Sequence, residues 1–224
     1  MLIRPPSVDY ANAQIQDYGR IMPHRPPLRL TLEARFSHSQ DALRGTAGFG
    51  FWNAPFAPAL RRIRLPKSAW FFFGSPPLDL PFAQGVPGYG FKAATLDVAT
   101  PLFMTLLPLA PLGVVAMRVP PLYRTFYPIA QHAIRASEAA LQQDMTLWHH
   151  YQLDWTREGI TFHINGEQVH HSRYRPRGRL GFVAWIDNQY AIVTPQGRLG
   201  WGLVNSDQTQ ELHIRHLNIR PGSP

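Results

Sequence analysis

WHHYQLDWTREGITFHINGEQV, residues 148–169, decides how this chain folds. Tyr151, Leu153 and Trp155 alternate with polar residues, the period of a strand that gives one face to a core. Thr156–Gly159 turns the chain, and Ile160, Phe162 and Ile164 alternate again. Asn165-Gly166 then offers two residues that tolerate positive φ, the signature of a type I′ hairpin turn. Pairing Trp155 with Ile160, and Ile164 with Glu167, sorts the side chains by face. Tyr151, Leu153, Trp155, Ile160, Phe162, Ile164 and Val169 form the core face. On the other face Asp154, Thr161 and His170 make one row, and Gln152, His163 and Gln168 the next. The strip Asp154, His163, His170 reads either as a solvated outer face or as part of a ligand groove.

Outward from this hairpin the same alphabet recurs. LRLTLEARFS (28–37) alternates, TAGFGFWN (46–53) is a glycine-rich strand, and SAWFFFG (68–74) and GYGFKAATLD (88–97) are buried strands. LGFVAWIDNQYAIV (180–193) is a strand pair or a bent strand broken by Asp187-Asn188-Gln189, and QELHIRHLNI (210–219) closes the set with Leu212, Ile214 and Leu217 or Ile219 inward. With 22 prolines and 17 glycines spread through 224 residues, many short strands joined by turns are expected. Residues 1–27 lack any period and read as an irregular arm. Residues 28–224 read as one β-sandwich domain with an insertion at 101–147. Within it PLFMTLLPLAPLGVVAM is too interrupted by Pro108 and Pro111 to supply the ~20 apolar residues of a membrane span. The stretch after Pro128, IAQHAIRASEAALQQDM, predicts a helix with Ile129, Ala133, Ala136, Ala140 and Leu141 near one face.

Composition narrows the chemistry. Cysteine is absent, which excludes disulfides, thiol nucleophiles and cysteine metal sites. MLIRPPSVDY has no apolar leader core, so a cytoplasmic protein is expected, or a secreted one if a leader has been trimmed. The net charge is +8, carried mainly by arginine. The densest runs, Arg61-Arg62-x-Arg64 and Arg173-x-Arg175-x-Arg177-x-Arg179, are not interleaved with stacking aromatics, so no nucleic-acid partner is expected. There is no G-x-S-x-G, no phosphate loop and no dinucleotide fingerprint, so no cofactor is expected. A His/His/Asp metal site built from His163, His170 and Asp154 is conceivable in this register, but strand histidines without H-x-H or H-E-x-x-H spacing are poor ligand sets, and no metal site is assigned.

Four stretches together resemble the concanavalin A-like jelly roll, and most closely the family 16 glycoside hydrolases and laminin-G-like domains. LTLEARFS with GFGFWNAPF is similar to the family's EARI…G.WPAFW strands, and WHHYQLDWTREGITFHINGEQV to its HTYAIEWTPD.I.FYVDG..V hairpin. GRLGFVAWIDNQ and QELHIRHLNI resemble the inner and closing strands that follow. The resemblance spans residues 28–219 and implies an all-β protein of two antiparallel sheets, one concave. In the hydrolases that face carries E-x-D-x-x-E, whose two carboxyls must stand ~5–5.5 Å apart for retaining chemistry. The matching strand here is KSAWFFFG, which has no acid, and no E-x-D occurs anywhere in the chain. No catalytic residue is therefore assigned, and a non-catalytic ligand-binding protein is expected. Trp52, Trp70, Phe72, Trp185, Asp187, Asn188, Gln189 and Tyr190 offer the ring platforms and hydrogen-bonding groups that carbohydrate recognition needs. For each tryptophan the competing reading is packing between the sheets. The alternative function is a hydrophobic small-molecule (lipid or isoprenoid-like) binder or enzyme with a pocket lidded by the apolar segment 101–127. That segment could instead contact a membrane surface or a second copy of the chain.

Overall fold

The structure is a computed structural model that describes residues 1–4, 9–55 and 64–222. Arg61 and Arg62 of the first arginine run lie outside the described residues.

Two six-stranded antiparallel sheets carry the chain. The first has the order β1 (Leu2–Ile3), β14 (Gln210–Pro221), β3 (Leu28–Phe36), β8 (His149–Trp155), β9 (Ile160–Ile164), β10 (Glu167–Ser172). The second has the order β2 (Asn12–Gln16), β11 (Gly181–Asp187), β4 (Thr46–Trp52), β5 (Lys67–Gly74), β6 (Gly90–Asp97), β7 (Ser137–Ala140). A two-stranded ribbon, β12 (Gln189–Val193) with β13 (Leu199–Leu203), leaves the end of β11. Strands that are neighbours in space come from distant parts of the chain: β14 pairs with β3, and β11 with both β2 and β4. This is the jelly-roll sandwich that the resemblance implies.

The core lies between the inner faces. Phe71 shows how the layers lock, with its ring 5.0 Å from Tyr151 and 5.2 Å from Phe162 of the facing sheet. Period-2 alternation sets this up, since Ala69, Phe71 and Phe73 enter the core while Ser68, Trp70 and Phe72 are left on the outer face. The opening hairpin folds in the expected register, with Trp155 opposite Ile160 and Ile164 opposite Glu167. Asn165 and Gly166 both take positive φ, at 52° and 85°, as a type I′ turn requires.

Three expectations are corrected. The arm 1–27 is not wholly irregular: β1 and β2 extend one edge of each sheet, and the Met1 ammonium donates to the Leu212 carbonyl at 2.9 Å. The helix expected after Pro128 lies earlier. The insertion forms α1 (Pro101–Leu106), a 3₁₀ turn (Leu107–Leu109), α2 (Ala110–Ala116) and α3 (Pro120–Ala133). Pro128 sits inside α3, where it cannot bond back to Arg124, and the Gln84 amide donates to the Tyr123 and Arg124 carbonyls at 3.3 and 3.5 Å. Arg135 at φ 47° ends the helical path. Ser137–Ala140 then pairs with β6, because the edge position overrides the helical preference of its alanines. Third, β10 carries a bulge between Gln168 and His170, so His171 rather than His170 stands opposite Thr161. His170 leaves the polar strip, stacks on Phe162 at 5.8 Å and bonds Ser137 Oγ at 3.0 Å. Burial, with His171 adding like charge, pushes its pKa down to about 4.

Candidate functional site

The outer face of the second sheet gathers the predicted rings. Trp52, Trp70, Phe72 and Trp185 come from three adjacent strands, β4, β5 and β11. Trp70 lies 6.3 Å from Trp52, 5.6 Å from Phe72 in a stacked pair, and 5.3 Å from Trp185. Trp52 and Trp70 are half-buried, while Phe72 and Trp185 are buried. The rings fit because β4 offers glycine where it faces them. A Cβ on Gly48 would stand 3.0 Å from the Trp185 ring, and one on Gly50 would stand 2.7 Å from Trp70 Cβ. TAGFGFW thus alternates large rings inward with glycine outward, leaving a trough that the indoles fill.

The polar groups on this face fall into two sets. Toward β2, Trp52 Nε1 donates to Tyr18 Oη at 2.6 Å, and Tyr18 Oη also accepts from Gln14 Nε2 at 3.4 Å. Trp185 Nε1 donates to Thr46 Oγ1 at 2.9 Å, which donates on to Asp187 Oδ1 at 2.7 Å. Burial raises the Asp187 carboxyl to about 6, against the opposing bonds from Thr46 and the Gln189 N–H. On β5 the pattern changes. Ser68 Oγ and Trp70 Nε1 are buried and have no hydrogen-bond partner among the described residues. They belong to residues two positions apart on one face of β5, the face that carries the rings.

At the far edge Lys92 Nζ meets Glu138 Oε2 at 3.0 Å, both side chains almost fully buried, and the Phe82 and Ala83 N–H groups donate to Glu138 Oε1 at 2.8 and 3.0 Å. Desolvation pushes the lysine pKa down and the glutamate pKa up. Asp187 and Glu138 are the carboxylates that the strands of this sheet present on the outer face; Asp97 points to the opposite side, where Lys67 and Arg177 meet it. Three strands separate β11 from β7, which puts about 19 Å of sheet between the two acids across the strands at the usual spacing, and the register offsets them further along the strands.

The other predicted residues divide. Tyr190 packs against the ring cluster. Asn188 is fully buried and staples the N-terminal segment, accepting from Ala11 N at 2.9 Å and donating to the Asp9 carbonyl at 3.0 Å. Gln189 shares the ribbon face of Leu203, away from Tyr190. Asp154 and His163 do come together at 3.7 Å, and Asp154 is also paired with Arg29 and accepts from Gln152, but they stand on the first sheet, on the other side of the molecule from the rings. No cluster of three or more histidine, aspartate or glutamate side chains suited to a metal occurs among the described residues. The ring cluster draws no member from 101–127, so that segment does not lid it. Two shallow concavities, of about 380 and 410 Å³, lie elsewhere and are lined mainly by Arg25, Arg157, Arg175 and Arg179, and by Arg64, Lys67 and Arg177. Sequence reasoning missed Tyr18, Thr46 and Ser68. The polar alternation of Asn12, Gln14 and Gln16 was the available signal for the β2 side.

No protein-family model and no curated protein matches the chain. Among solved structures it is similar to a GlcNAcα1-4Gal-releasing endo-β-galactosidase from Clostridium perfringens, with a TM-score of 0.47 and 14% identity over 83% of this chain and 35% of that one. It is also similar to a protein from work on endo-acting O-glycanases of the human gut microbiota (TM-score 0.49, 13% identity, 95% of this chain and 74% of that one). A third is the catalytic domain of a laminarinase from Thermotoga petrophila, with a TM-score of 0.44 and 7% identity over 92% of this chain and 67% of that one. The fold is assigned on the strand order and register above.

Proposed function

We propose that the outer face of the second sheet is a non-catalytic carbohydrate-binding surface. The observation that carries this reading is the conjunction of half-buried indoles, Trp52 and Trp70, with two unsatisfied donors, Ser68 Oγ and Trp70 Nε1. A pyranose presents an apolar C–H face and a polar hydroxyl rim. Rings accept the first; Ser68 Oγ and Trp70 Nε1 are enclosed in the structure, so they meet a hydroxyl only when the Trp70 ring turns aside on binding, which relieves the cost of about 1–3 kcal/mol that an unmet buried donor carries. A purely apolar ligand would leave both donors unmet. The carboxylate arrangement supports binding without hydrolysis, because about 19 Å exceeds both the ~5–5.5 Å of retaining and the ~6.5–9.5 Å of inverting glycosidases.

The test is a panel of neutral oligosaccharides read by thermal shift and calorimetry. At least one should raise the melting temperature. Ser68→Ala, which removes a donor and leaves the rings, should weaken that ligand about tenfold, and Trp70→Ala should abolish the shift. Trp148→Ala, on the far sheet, should leave it unchanged. A panel without a single shift, or a shift indifferent to Ser68 and Trp70, rejects the proposal.

A further inference from the structure

The helical insertion and the outward face of the β12–β13 ribbon form a second surface, apart from the ring site. In α1, the 3₁₀ turn and α2 no residue is buried, and Leu107, Leu109, Leu112 and Val115 are 46, 56, 70 and 62% exposed. The ribbon is two-faced. Tyr190 turns toward the ring cluster, over Gly202, where a Cβ would stand 2.8 Å from the tyrosine ring. The opposite face carries Val193, Leu199, Trp201 and Leu203, with Leu199 78% and Trp201 84% exposed. The two elements touch. Arg118 Nε donates to the Gln196 carbonyl at 3.1 Å, and Val114 packs beside Gly197 at the ribbon turn. One continuous apolar platform results, with a tryptophan standing clear of the surface.

Charge selects the occupant. From Val98 to Ser137 the sequence holds no aspartate or glutamate but three arginines, Arg118, Arg124 and Arg135. From Asn188 to Ser206 it again holds no acid, and Arg198 is the basic residue there, paired to Asp79. We infer that this platform docks on the surface of a phospholipid bilayer that carries anionic headgroups. The leucines and Trp201 enter the interfacial layer, and Arg118 and Arg124 meet the phosphates. A second copy of the chain is the poorer partner, because a self-pair would bring this basic, acid-poor surface against itself, with the nearby Asp79 already paired to Arg198. Docking is in the plane of the membrane: no described helix is long and apolar enough to cross one.

Vesicle flotation of the full chain tests this. Protein should float with phosphatidylcholine vesicles containing phosphatidylglycerol, several-fold less with phosphatidylcholine alone, and less again in high salt. Trp201 fluorescence should be quenched by brominated lipid, and Trp201→Phe should remove that quenching. The double variant Leu112→Asp, Trp201→Asp changes exposed positions only; it should keep the wild-type melting temperature and float at least about tenfold less. Absence of flotation on anionic vesicles overturns the inference. So does a monomer–dimer equilibrium abolished by the same double variant, which would make a second copy the occupant. Trp70→Ala should float normally, so failure of the carbohydrate reading and failure of this one are separable.

Discussion

A buried acid with a raised pKa marks a position where ionisation works against the fold, and Asp187 is such a position. Its carboxyl rises from 3.8 to about 6 because burial outweighs the bonds from Thr46 and Gln189. The folded chain therefore holds the proton more tightly than the unfolded chain, and this residue's contribution falls as pH rises from about 4 through 6. Asp187→Asn keeps an acceptor for both donors and removes the charge. It should stabilise the protein at pH 7 by up to about 3 kcal/mol and by much less at pH 4, measured by urea unfolding across that range. Equal effects at both pH values would show that Asp187 is not desolvated. The sequence marked this residue as a polar break in an apolar run and as a candidate hydrogen-bonding group for a ligand, not as a buried acid. Its bonding to Thr46 depends on β4 and β11 pairing 141 residues apart, a contact that no local pattern carries.

Elements were legible where period and turn chemistry agreed. The 148–169 hairpin has both, and its register follows from side-chain alternation and Asn-Gly. Two paired residues beyond the turn the bulge reverses the parity, so His170 could be placed only by seeing which residue the sheet leaves unpaired. The edge strand β7 is the harder case. SEAA favours helix by propensity, yet it becomes a strand because β6 needs a partner and Lys92 needs a counter-charge. The same dependence gives a prediction. Lys92→Met leaves Glu138 buried without its cation and should cost about 3–5 kcal/mol, whereas Lys92→Met with Glu138→Leu should recover most of that loss. Chemical denaturation of the two single variants and the double decides this, and additive losses would mean that the pair is not coupled.

At the scale of the whole molecule, both sheets are closed by the first sixteen residues. β1 covers β14 and β2 covers β11, so the N-terminal stretch guards an edge of each layer. Removing residues 1–16 should expose β11 beside Trp185, lower the melting temperature and promote self-association, followed by light scattering. A truncated chain that stays monomeric with unchanged melting would show that these strands are dispensable. This organisation was invisible in the sequence because β1 and β2 are short, and their partners lie some 170 to 210 residues away.

The ribbon β12–β13 is one backbone thick and has no interior of its own. Tyr190 leans on the aromatic cluster from one side, while Trp201, on the neighbouring strand, stands in solvent on the other. Whatever contacts Trp201 from outside therefore bears on the strand paired with the one that carries Tyr190. The ribbon is a single wall shared by two surfaces: one face is spent on the rings, and the other is left for whatever meets Trp201.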